Sequence, residues 1–173
     1  MRPLVTVRLV LEPQVAAHAD AMFAVLADPR IYEFENAPPP TPAWLRERYA
    51  RLESRRSADG REQWLNWVLR RDDGELIGYV QATVHADGRA AIAYELNSRH
   101  WGRGLAHEAV GAMIGELATA YGVRRLSAVF KRDNVRSRRL LERLDFRPGR
   151  PDAGKAQGVE ADEDLLLRDL PPP

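Results

Sequence analysis

The 173-residue chain has no cysteine, which excludes disulfides, a thiol nucleophile and cysteine-ligated metal sites. Histidine is scarce as well: four residues without clustered ligand spacing give no reason to expect a catalytic metal. Neither sign of charge dominates. The 26 lysines and arginines against 25 acidic residues leave a formal charge of +1, so composition makes no case for nucleic acid or an anionic membrane as partner. No apolar run approaches a membrane span, and Met1-Arg2-Pro3 does not lead into the apolar stretch of a signal peptide, so a soluble cytoplasmic protein is expected. Repeats and linkers are missing too, and the length suits one core, so a single domain over residues 1–173 is expected.

What is present is a series of short segments whose hydrophobic period changes. Residues 5 to 11 read as a strand interrupted by Glu12-Pro13. Ala19, Met22, Phe23 and Leu26 recur at helical spacing within residues 15 to 27, and Asp28-Pro29 stops that helix. After Pro38-Pro39-Pro40, Thr41 is a candidate N-cap before Pro42, and the helix it opens places Leu45, Tyr49 and Leu52 on one face. Residues 63 to 70 and 76 to 84 read as strands joined through Asp72-Asp73-Gly74. Asp87-Gly88 then turns into a third strand at 89 to 96, giving three neighbouring antiparallel strands.

The stripe Ala106, Val110, Met113, Ile114 and Leu117 marks a helix over residues 105 to 121, ended by Gly122. A strand at 126 to 130 follows, and strand, crossover helix and strand imply a parallel step. Leu140, Leu141 and Leu144 give a short helix closed by Asp145-Phe146. Residues 148 to 158 read as a loop or hairpin connection, Leu165-Leu166-Leu167 as a final strand, and Pro171-Pro172-Pro173 ends regular structure. Together these elements predict a compact α/β or α+β domain.

The densest signal is Asn97-Ser98-Arg99-His100-Trp101-Gly102-Arg103-Gly104-Leu105-Ala106, where a strand meets a long helix. Gly102 and Gly104 allow a tight turn and remove side chains that would hold a ligand away. Unpaired amides of the first helical turn then face outward, aided by the helix dipole, as a seat for phosphate. Arg99, Arg103, Lys131, Arg132, Arg136, Arg138 and Arg139 can converge on one polyanion. Two familiar phosphate motifs fail here. A dinucleotide fingerprint needs a small residue where His107 stands, and a P-loop needs lysine followed by serine or threonine after the last glycine.

Arg99, Gly102 and Gly104 at a strand-to-helix junction instead resemble the acetyl-coenzyme A motif of the GNAT N-acyltransferase superfamily. The likeness extends through Leu105-Ala106-His107-Glu108-Ala109, Asn134, Ser137 and the run from Arg138 to Phe146, and looks most like the RimJ/RimL-type branch. Asp145 departs from the pattern, because that branch usually has glycine before the phenylalanine. The resemblance implies a mixed, mostly antiparallel sheet flanked by helices, with a parallel strand pair at the cofactor cleft. It implies acetyl-CoA as cosubstrate, its pyrophosphate against the amides of residues 101 to 106 (Trp101, Gly102, Arg103, Gly104, Leu105 and Ala106), with Leu96 at the strand end and Arg99 or Arg103 adding charge. Asn134 and Arg139 are further implied cofactor contacts. Read as bare sequence, the arginines are also ordinary surface residues, and Asp133-Asn134 also suits a helix cap. Several family members form dimers, so a homodimer is implied by the resemblance alone.

The implied chemistry is direct attack of a primary amine on the thioester, which needs no protein nucleophile, only positioning and stabilisation of developing charge. The resemblance implies a strand irregularity near the end of the 89 to 96 segment, where backbone amides can serve the carbonyl. Glu95 is the candidate base, acting directly, through water or by holding the amine; a solvent-facing strand glutamate is the competing reading. Ser137 is implied as the partner of the leaving sulfur, against a local cap or surface serine. His100 and His107 have weaker claims, since neither needs to reach the amine. Tyr32, Glu33, Phe34 and Trp44 are candidates for the acceptor pocket, with Glu33 and Glu35 attracting a cation, or else lid packing. A peptide amino terminus and a small-molecule amine both remain open as acceptor. A non-catalytic coenzyme A-binding regulator is the alternative of a different class.

Overall fold

Three long strands form the middle of the molecule: β3 (Glu62–Arg71), β4 (Leu76–His85) and β5 (Arg89–Leu96), each antiparallel to the next. Their turns are the Asp72-Asp73-Gly74 and Asp87-Gly88 sequences, with Gly74 and Gly88 at φ 87° and 79°. The computed structural model describes residues 1–34, 36–149 and 158–171. Glu35, most of the expected 148 to 158 connection and the last two prolines therefore lie outside the described residues.

Around the meander the sheet extends to eight strands in the order β1-β2-β3-β4-β5-β6-β8-β7. The outer strands are β1 (Leu4–Val5), β2 (Leu9–Pro13), β6 (Arg125–Lys131), β7 (Arg147–Pro148) and β8 (Glu163–Asp169). Among the described strands only β5 and β6 run parallel, as the crossover through α3 (Leu105–Ala120) requires. This is the mixed, mostly antiparallel α/β architecture expected. One face carries α3 and α4 (Val135–Arg143), with Trp67, Val80, Ile92, Met113 and Leu141 in a common core. On the other face, α1 (Ala19–Leu26) and α2 (Pro42–Leu52) bury Met22, Leu26, Leu45 and Tyr49 against Val68 and Leu76. Thr41 caps α2 by accepting from the Trp44 amide at 3.1 Å.

Three local readings need correction. Residues 5 to 11 are two strands, not one: Thr6 bonds Leu9 through both its amide and hydroxyl, turning the chain without glycine or proline. The helix expected from residue 15 opens with a 3-10 turn over Ala16–His18, where His18 Nδ1 accepts from the Val15 amide. The irregularity expected in β5 lies instead between β3 and β4, where the register shifts at Leu69/Arg70. Next to it, Gly78 lets β4 approach β5 closely, since a Cβ there would lie 2.1 Å from the Glu95 carbonyl oxygen.

Asp145 sits at φ 61° after α4. Its amide bonds the Glu142 carbonyl and the Phe146 amide reaches Leu141, so the left-handed turn that glycine usually makes is formed by aspartate, with Phe146 fully buried. Relief of left-handed strain, partly offset by greater freedom of the unfolded chain, should make Asp145→Gly more stable by up to about 1 kcal/mol. Asp145→Val should lose about 1–2 kcal/mol. Urea denaturation of the two variants checks both signs.

Candidate active site

The site begins where β5 and β6 part. Their pairing runs only from Arg89↔Arg125 to Ala91↔Ser127, although β5 continues to Leu96 and β6 to Lys131. A cavity of roughly 1000 Å³ occupies the resulting gap and extends to both faces of the sheet. Adjacent strand residues point to opposite faces, yet Tyr94 and Glu95 both line this one cavity. That is possible because β6 has moved aside.

On the α3 side, Gly102 and Gly104 adopt φ 73° and 76°, and Gly104 caps α3 without any side-chain acceptor. The first-turn amides of α3 thus lack intrahelical partners and open onto the cavity, which Gly102, Gly104, Leu105 and Ala106 line. Both glycines are required by conformation rather than crowding. Nothing lies within 4 Å of a Cβ at Gly102, and only Arg8 Nη2, at 3.5 Å, approaches one at Gly104. Such a seat suits a diphosphate, which takes backbone donors and the positive end of a helix dipole.

Arg8 braces the turn. Its Nη1 donates to the Arg103 carbonyl at 2.8 Å, while its amide and Nε donate to Glu108, which also accepts from Thr6 Oγ1 at 2.6 Å. Burial pushes the Glu108 carboxyl up, but the bonds from Thr6 and Arg8 outweigh it and hold the group below the usual range. A depressed folded pKa gives stability that is present above the unfolded value and lost as pH falls through the folded one. Glu108→Gln should therefore destabilise the protein by about 1–2 kcal/mol at neutral pH, with the difference shrinking in acid. Paired denaturation curves at pH 7 and in acid measure it.

Trp101 also lines the cavity, and its Nε1 donates to the Leu96 carbonyl at 2.8 Å. Over its ring lie the guanidinium groups of Arg136, 4.2 Å from the centroid, and Arg30, at 5.3 Å. Arg136 further packs over Phe34 and bonds Glu33 at 2.6 Å, tying the segment after α1 to α4. Asp28 adds a second tie by accepting from the Ser98 amide at 2.7 Å.

On the α4 side, Tyr94 Oη and Ser137 Oγ are 2.6 Å apart, and Ser137 N donates to Asn134 Oδ1. Asn134 is thus the N-cap of α4 and a cavity residue at once. Burial, opposed by the Ser137 hydrogen bond, pushes the Tyr94 hydroxyl up to about 12, so it stays protonated at neutral pH. On the opposite face Tyr79 stands across from Glu95 in the β4 to β5 register and shares a hydrogen bond with it. Burial and then the Glu95 charge raise the Tyr79 hydroxyl well above its ordinary value, and burial followed by Glu95 does the same at Tyr32. Tyr49 Oη is buried in this region without a hydrogen-bond partner among the described residues.

Most of the candidate residues meet in this cavity: Glu95, Ser137, Leu96, Trp101, Gly102, Gly104, Leu105, Ala106, Asn134, Arg139, Tyr32, Phe34 and Trp44. Three do not line it. Arg99 is turned to Asn97 and Glu75, Arg103 is exposed with its carbonyl held by Arg8, and Glu33 is neutralised by Arg136. Lys131, Arg132 and Arg138 pair with acids of β8 or of the stretch before it, whereas Arg139 at the cavity has no acidic partner among the described residues. Buried His100 also lines the cavity, with Glu75 at 3.5 Å as its acidic neighbour among the described residues, and His107 is at the exposed rim. No group of three metal-binding side chains occurs among the described residues, and no helix among them is long and apolar enough to cross a membrane.

Sequence reading missed Tyr79, Tyr94 as the partner of Ser137, and the Arg8 brace. The first had a usable signal, since the Asp87-Gly88 hairpin sets Val84 against Ala90 and hence Tyr79 against Glu95. The brace had none, with 100 positions between Arg8 and Glu108.

Comparison with known proteins identifies the family and the fold. The acetyltransferase (GNAT) domain family matches residues 8–147. An uncharacterized N-acetyltransferase of Bacillus subtilis strain 168, YoaA, is 30% identical over 149 residues, covering 83% of this chain and 81% of that protein. A solved GNAT-family acetyltransferase from Bordetella pertussis superimposes with TM-score 0.75 at 28% identity, covering 97% of this chain and 99% of the other. RimL, a ribosomal L7/L12 alpha-N-protein acetyltransferase solved with coenzyme A, shares the fold at TM-score 0.79 and 17% identity, with 96% of each chain covered. The chain belongs to the GNAT acetyltransferase family. It is an enzyme of acyl transfer from acetyl-CoA.

Proposed function

We propose that this enzyme acetylates the primary amine at a protein amino terminus, by direct attack while both substrates are bound. The supporting observation is the opening of Tyr94 and Glu95, from opposite faces of β5, into one cavity. Acetyl-CoA supplies the activated acyl carbon and a thiolate leaving group. The amides of residues 102 to 106 and Arg139, which has no acidic partner among the described residues, hold its diphosphate, and Asn134 orients the α4 edge of the seat. Glu95, set by Tyr79, takes the proton from the incoming ammonium and so produces the neutral nucleophile. The protonated Tyr94 hydroxyl, paired with Ser137, donates a hydrogen bond to the departing sulfur. Freed β5 amides beyond residue 91 face the reacting carbonyl.

The likeness to the RimJ/RimL branch and the shared fold with RimL favour a peptide α-amine over a small-molecule amine. The same reading places the enzyme in the cytoplasm as a single domain over residues 1–173. Thiol release from acetyl-CoA with a panel of short peptides, a polyamine and an aminoglycoside tests it. Turnover with the peptides is expected; turnover confined to the small amines would contradict it.

A further inference from the structure

Behind Glu95, on the face covered by α1 and α2, the sheet carries a row of side-chain amides. Gln14 lies beside Asn66, Asn66 pairs with Gln81, and Gln81 pairs with Ala93, two residues from Glu95. All three amides line the cavity, and none makes a side-chain hydrogen bond among the described residues. Gln14 is 5% exposed and Asn66 7%, and Gln14 Nε2 is fully enclosed without a partner. Tyr49 Oη is in the same position. An enclosed polar group without a partner costs about 1–3 kcal/mol, so Gln14 Nε2 and Tyr49 Oη, with the more open amides of Asn66 and Gln81 beside them, point to a ligand that completes this side of the cavity.

We infer that the row binds the backbone of the acceptor peptide, which crosses β4, β3 and β2 with its amino group at Glu95. This rests on the proposed acetyl transfer to a peptide amine. A side-chain amide offers one acceptor and two donors, matching the alternating carbonyl and amide groups of a peptide. With about 4.8 Å between strands and about 3.4 Å per residue, Gln81, Asn66 and Gln14 lie roughly 8, 12 and 16 Å from Glu95 between Cα atoms. An extended acceptor rising about 3.4 Å per residue reaches those distances with its third, fourth and fifth residues and the carboxy-terminal group that follows them. Charge favours a peptide as well. Among the described lining residues Glu95 is the acid on this face, the other carboxylate being Glu142 on α4, so the pocket holds one ammonium and lacks the further acids a polyamine would use.

The test compares kcat/KM for a single-residue amide and an uncharged pentapeptide with the same first residue, in wild type, Gln14→Leu and Gln81→Ala. Two or three recovered hydrogen bonds of about 1 kcal/mol each predict a pentapeptide preference of about 30- to 150-fold in the wild type. Each variant should lower that ratio about five- to tenfold, through KM of the pentapeptide. Gln81 is only half-buried and Leu matches Gln in volume, so at least one variant folds. Equal use of both acceptors by the wild type, or a ratio unmoved in both variants, overturns the amide row while leaving acetyl transfer intact. No thiol release with any amine overturns the reaction itself, and the row with it.

Discussion

Glu95→Gln should lower kcat about 10²- to 10⁴-fold, the range lost when a positioned general base is removed, with coenzyme A affinity unchanged. Glutamine keeps the shape of Glu95 and can still accept from Tyr79, so the sheet and the cavity persist. What disappears is the group that takes the ammonium proton. Without a base at the site, the variant depends on amine already deprotonated in solution, so its rate should fall more steeply than that of the wild type as pH drops below the pKa of the acceptor amine. Presteady-state rates across pH, with calorimetry for the cofactor, separate these effects. An unchanged pH profile would remove Glu95 from the base role and leave it a strand residue supporting Tyr79.

Gly104→Val is expected to weaken coenzyme A binding by about 10- to 100-fold, the equivalent of losing one or two charge-assisted backbone contacts. Gly104 is at φ 76°, where an L-residue is strained by about 1–2 kcal/mol and a β-branched one by more. A valine there leaves the left-handed region and turns the first amides of α3 away from the cavity. Crowding is a minor part of the effect, because the nearest atom to the new Cβ is the far end of the Arg8 side chain. Asn, which tolerates positive φ, should retain most of the affinity. Calorimetry on the two variants decides it: equal weakening would assign the loss to bulk, and no weakening in a folded Val variant would remove the turn from the cofactor seat.

The parts of this site that were legible in the sequence are those carried by local chemistry. Gly102 and Gly104 announced their left-handed turn because almost no other residue adopts it, and alternation along residues 89 to 96 placed Glu95 and Tyr94 on opposite faces. The second helix was legible despite Asp145, since the bonds of Asp145 and Phe146 back into α4 depend on backbone angles rather than on glycine itself. What escaped depends on where distant segments meet. Arg99 looked like a phosphate ligand until its neighbour across the fold proved to be Glu75, and Glu33 looked like a free anion until Arg136 reached it. Displacement of the strand irregularity from β5 to β4 turns on Gly78, whose role is visible only once the Glu95 carbonyl lies against it. The amide row shows the same limit: Gln14, Asn66 and Gln81 are unremarkable along the chain and become a group only through strand register.

For the proposed direct transfer in a cavity open to both faces of β5, initial-rate kinetics with both substrates varied is the decisive measurement. Since the chain has no cysteine and Ser137 is engaged with Tyr94, no acyl-enzyme should form. Double-reciprocal plots of rate against peptide amine at several acetyl-CoA concentrations should intersect, as for two substrates bound together. Parallel lines, with an acetylated protein trapped in the absence of amine, would contradict it.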